Sequence, residues 1–145
     1  MSSTPGDVVF ELDRYPIIIL RMPKHGSIDS IHRWYDRVEQ LLAEAKEPLA
    51  LIHDFRPVDL LSVNAANRQA IAERVSRIAK SPHVRKIGAD ARVHANAVIA
   101  GAITAVSWLT GSTPWPANNF SNEEAAISWA QVMLGKPSAK NGARY

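Results

Sequence analysis

The sequence contains no cysteine, which excludes disulfides, thiol nucleophiles and thiolate metal sites together and fits a reducing compartment. It also lacks a long membrane-spanning segment. The apolar stretch from Ala95 to Leu109 covers only 15 residues, short of the roughly 20 that a transmembrane helix needs. Neither a G-x-S-x-G nucleophile elbow nor a phosphate-binding glycine loop occurs, so the local signatures of α/β-hydrolases and nucleotide-binding folds are missing. The opening residues MSSTPGDVVF show no basic segment followed by an apolar core, which leads us to expect a cytoplasmic protein.

Histidine is present five times, but scattered. His32 and Asp36 share a helical face, Asp90 and His94 are four apart, and His53 adjoins Asp54. None of these pairs gives the three or four convergent ligands of a zinc or iron site, so no metal and no cofactor is expected. Arg68, Arg74, Arg77, Lys80, Arg85, Lys86 and Arg92 form a basic segment without a single aromatic residue. A nucleic-acid face would pair such charge with stacking rings, so nucleic-acid binding is not expected.

What the chain does have is enough apolar residue for one core. Its 145 residues are 46% hydrophobic and 21% charged, the balance of a single globular domain. The net charge of +3 is unevenly placed. Residues 1–67 hold seven Lys/Arg against ten Asp/Glu, giving −3, and residues 68–145 hold ten against four, giving +6.

Periodicity then orders the elements. VVFEL (8–12) and IIILRM (17–22) read as strands joined through Asp13–Pro16 into an antiparallel hairpin. After Ser27, a plausible cap, apolar residues Ile28, Ile31, Trp34, Tyr35, Val38, Leu41 and Leu42 recur at helical spacing. LALIHDF (49–55) is a buried parallel strand ending in a carboxylate, and Asn64–Lys80 a largely exposed helix. HVRKIGA (83–89) is a fourth strand. Residues 95–109 form a helix that is apolar almost all round, which predicts that both of its sides are covered. Gly101 and the neighbouring alanines suit a close backbone approach there. Ala117–Phe120 is an edge strand. Ser121 and Glu124 spell a capping box for a last helix that closes at Gly135. The expected fold is thus α/β: a single mixed sheet of about five strands, antiparallel at its N-terminal hairpin and otherwise mostly parallel, with four helices. Residues 1–135 form the domain and 136–145 a flexible tail.

This element order, together with LALIHDFR and FSNEEAAISWAQVML, resembles the STAS group of anti-sigma-factor-antagonist-like domains, and most of all its bacterial branch that also carries CRAL-TRIO lipid-transfer names. The matching features are Asp54 and Arg56 of a D-x-R, the segment VIAGAITAVSWL, and Ala126 and Trp129 of an A-x-x-W, over roughly residues 8–134. The resemblance implies a small cytoplasmic domain without enzymatic activity, often homodimeric. Regulated members switch by phosphorylation of a serine in a D-S-S-G loop. When Asp54 is set on that loop's first aspartate, Ser62 takes the place of the second and Val63 that of the phosphorylated serine, so the switch is not expected here.

Two candidate surfaces follow. Beyond the third strand, Asp54, Arg56, Asp59, Ser62 and Asn64 gather where α/β folds meet their ligands and partners. With the helix dipole and Arg56 they could hold an anion, or else pair and cap one another. Around the third helix, Ile99, Gly101, Ala102, Val106, Trp108 and Trp115 form a dimer seam or an apolar pocket. The first functional reading is a non-catalytic regulatory module that binds itself or another protein. The alternative is a carrier of a lipid or small apolar molecule. A weak hydrolase using His53, Asp54 and Ser62 ranks third.

Overall fold

A computed structural model describes residues 6–110 and 113–135, with the side chains of 105–110 left aside. The expected tail therefore lies outside the described residues. The fold is a single five-stranded mixed sheet, in the order β1-β2-β3-β4-β5, with four α-helices. β1 (Val9–Glu11) runs antiparallel to β2 (Ile17–Arg21), while β3 (Leu49–Asp54), β4 (Ile87–Val93) and β5 (Ala117–Phe120) continue parallel to β2.

Because the parallel strands advance in sequence order, right-handed crossovers place α1 (Ile28–Glu44), α2 (Ala65–Ala79) and α3 (Ala97–Thr110) on one face. α4 (Glu123–Gly135) returns from the edge strand and covers the other. The strand period of two then divides the core. Ile18, Leu20, Leu49 and Leu51 pack under α1 and α2, whereas Ile17, Ile19, Ala50, Ile52, Ala89, Ala91 and Val93 pack under α4. Burying each of the larger side chains is worth about 1.5–3 kcal/mol. Under α4 the contact is built from small residues: Ala50, Ala89, Ala91, Ala126 and Ala130 are all fully buried, so helix and sheet approach closely.

The caps explain the starts of the helices. Ser27 accepts from the Ser30 amide, Ser30 answers the Ser27 amide, and Asn64 accepts from the Asn67 amide. At α4 the capping side chain is Asn122, which accepts from the Ala125 amide at 2.8 Å. The Ser121–Glu124 box expected from the sequence is thus displaced by one residue.

The fourth strand also differs from expectation. Ser81 and Pro82 start a 3-10 turn over Pro82–Lys86, since the Ser81 hydroxyl accepts from the His83 amide and proline suits a first helical position. The strand begins only at Ile87 and runs on through Asp90 and Arg92. Register slips between Leu49 and Ala50 relative to β4, leaving Gly88 as the extra residue of a bulge. A side chain there would meet Leu134 of α4 at 2.8 Å, which is why glycine fits.

Over residues 97–104, whose side chains are described, α3 is covered on one side only. Ile99 is buried, while Val98 is 61% exposed and a Cβ added at Gly101 would meet nothing within 4 Å. Within the subunit Gly101 therefore makes no close approach, and the outer flank of this stretch is open. No helix among the described residues is long and apolar enough to cross a membrane.

Candidate functional site

Strand alternation decides which polar groups meet. His53 on β3 and Arg92 on β4 are register partners, so their side chains leave the sheet side by side on the face under α1–α3. Asp90, two residues before Arg92, shares that face. Its Oδ1 lies 3.0 Å from His53 Nδ1, and its Oδ2 accepts from Trp115 Nε1 at 3.2 Å and from Arg92 at 3.3 Å. His53 and Asp90, each 7% exposed, and Trp115 are buried, and Arg92 is half-buried. Burial alone would push the Asp90 carboxyl up, but the His53 ring, the Arg92 guanidinium and the Trp115 N–H outweigh it and hold the group below its ordinary value. Asp90 is therefore a carboxylate with acceptors only, which requires the hydrogen on His53 Nδ1. Nε2 is left without a hydrogen-bond partner among the described residues.

Above this cluster lies a cavity of about 420 Å³. Aromatic rings build one wall: Trp34 and Tyr35 stack with centroids 4.3 Å apart, Trp34 meets His53 edge-on at 5.6 Å, and His53 stacks on Phe55 at 5.9 Å. α2 adds Ile71 and Val75, and α3 adds Ile99, Ala102 and Ile103. The Tyr35 hydroxyl is kept neutral by burial and by the nearby Asp90 charge, which together push its pKa up. The indole N–H of Trp34 is buried in the same wall without an acceptor among the described residues. A mainly apolar cleft with a few converging polar groups has the composition of a small-molecule site.

The residues beyond the third strand do not form one site. Asp54 points to the opposite face, where its carboxylate takes Arg56 at 2.8 Å and Arg21 at 3.0 Å. Burial would raise that carboxyl, but the bonds from Arg56 and Arg21 hold it low. Both guanidiniums also bond Glu123 at the start of α4, and Arg21 bonds Glu11. Asp59 caps a 3-10 turn through the Leu61 amide. The Ser62 hydroxyl accepts from the Gly26 amide and donates to the Lys24 carbonyl, and Asn64 caps α2. Of the five, only Ser62 lines the cavity.

From the second group, Ile99, Ala102 and Trp115 line the cavity and Gly101 faces outward. The side chains of Val106 and Trp108 lie outside the described residues. The sequence reading weighed Asp90 only with His94 as a metal pair, Arg92 only within the basic segment and Tyr35 only in the apolar stripe of the first helix, and placed none of them in a site. The alternation of Asp90 and Arg92 in the small-residue strand GADARV was the available signal, because charges two apart on a buried strand face the same way. Among the described residues no three His, Asp or Glu side chains converge as a metal site requires. No family model, no curated protein and no solved structure matches this chain.

Proposed function

We propose that this chain is a non-catalytic binding module that holds a small, mainly apolar molecule in the cleft between α1, α2, α3 and the sheet. The cavity of about 420 Å³, with aliphatic and aromatic walls over a polar floor, carries this reading. It suits a compact ligand whose apolar body displaces water from the walls. A STAS-like identity agrees with the element order and with the D-x-R at Asp54 and Arg56. Titration with 1-decanol, read by the fluorescence of Trp34 and Trp115 and by native mass spectrometry, tests the reading. We expect saturable binding of one molecule per chain, lost in Ala102→Trp, which fills the cleft. Absence of saturable binding of any apolar probe would overturn it.

A second reading, association of two copies through α3, is supported by the exposed Val98 and the absence of any charge along that helix. Its test is the mass of the native particle. A dimer that falls apart in Gly101→Trp supports it, and a monomer at high micromolar concentration removes it.

A further inference from the structure

Resting on the proposed ligand cleft, we propose that its ligand is an amphiphilic monocarboxylate whose carboxylate sits against Arg92, His53 and Tyr35 while its apolar body lies between α1, α2 and α3.

Charge is the first argument. The charged groups lining the cavity are Asp90, Arg68 and Arg92, so two guanidiniums face one carboxylate and one positive charge remains. A monoanion neutralises it. A neutral ligand leaves Arg92, whose side chain is 19% exposed and is ion-paired to Asp90, partly desolvated with its remaining donors unused, and donors taken from water without acceptors are costly.

Unused hydrogen-bonding capacity is the second. Arg92 spends one N–H on Asp90. Its other donors, the Tyr35 hydroxyl and His53 Nε2 have no partner among the described residues. Arg92 and His53 leave adjacent strands side by side, and Tyr35, on α1, lines the same cavity. A carboxylate accepts from the Arg92 fork, from the tyrosine O–H and, when the ring is protonated, from Nε2. Asp90 braces the ring from behind through Nδ1, so the orientation is set before any ligand arrives.

The third argument is the rest of the surface. Beyond this polar floor the walls are mainly apolar, with Ile31, Ile71, Val75, Ile99 and Ile103. Ser30, Ser62, Asn67 and Arg68, which also line the cleft, bond backbone carbonyls, so an aliphatic or aromatic body has much to pack against. Sugars and nucleotides, which need polar contacts along their whole length, do not fit such walls.

The test compares decanoate with 1-decanol on the full chain at pH 6.5, by tryptophan fluorescence and titration calorimetry. We expect decanoate to bind at least tenfold more tightly, and Arg92→Gln to reduce that ratio to near unity with 1-decanol affinity kept within about twofold. Since Arg92→Gln also removes a partner of buried Asp90, Tyr35→Phe serves as the second variant: it keeps the ring packing and should cut the ratio severalfold. Equal affinities of the two probes for the unaltered chain, or a ratio unmoved in both variants, would overturn the carboxylate assignment while leaving the cleft standing. Failure of both probes to bind would instead remove the cleft reading itself.

Discussion

His53 and Asp54, adjacent in sequence, serve opposite faces of the sheet: His53 Nδ1 lies 3.0 Å from Asp90 under α1–α3, and the Asp54 carboxylate lies 3.0 Å from Arg21 beside α4. One strand end therefore feeds two separate polar clusters. The Asp54 cluster is closed, since Arg21, Arg56, Glu11 and Glu123 satisfy one another. The His53 cluster is open toward the cavity, and only an open cluster can recognise something else.

If Asp90 orders the cavity floor, removing its charge should be felt in stability and in the ring. Asp90→Asn keeps the shape but weakens the bonds to His53, Arg92 and Trp115, and we expect a loss of about 1–3 kcal/mol in urea unfolding. The nitrogen chemical shifts of His53 should move with it as the hydrogen on Nδ1 loses its partner. An unchanged His53 spectrum would show that Asp90 does not fix the ring.

The alanine contact under α4 predicts sensitivity to size rather than to hydrophobicity. Ala130 is fully buried against the sheet, so Ala130→Leu has no space to fill and should cost about 1–3 kcal/mol. Val132, on the same helix and 62% exposed, is the control: Val132→Ser should stay within about 0.5 kcal/mol. Equal effects at the two positions would contradict the packing described for this face.

Gly101 sits inside α3 with open space around it. Glycine there costs backbone entropy without using its freedom, so Gly101→Ala should stabilise the chain by about 0.5–1 kcal/mol, seen as a rise in the urea midpoint. A loss of stability would mean that something approaches this helix closely after all.

Most of the architecture was legible in the sequence because hydrophobic period and cap residues act locally. IIILRM and LALIHDF could hardly be anything but strands, and the spacing from Ile28 to Leu42 gave the one strongly amphipathic helix. β4 was misplaced by about four residues because Asp90 and Arg92 look like loop formers until their partners, His53 and Trp115, are known to come from other elements. The polar cluster was missed for the same reason: Asp90 and His53 are 37 residues apart, and nothing local marks the pair. Asp54 drew attention because it ends its strand, yet alternation sends it away from the cleft.

Both buried carboxylates tie stability to pH in one direction. The folded pKa values of Asp54 and Asp90 lie below the ordinary 3.8, so around and below that pH the unfolded chain binds more protons than the folded one and stability rises with pH. The contribution is fully present above the ordinary value and is lost as pH falls through the folded ones. Urea midpoints should therefore show no slope from these two groups above about pH 5 and should fall steeply below about pH 4. Asp54→Asn and Asp90→Asn should each flatten that acid limb, because the amide does not titrate. An acid limb unaltered in both variants would show that other carboxylates govern it, and that neither guanidinium cluster holds its aspartate in the charged form.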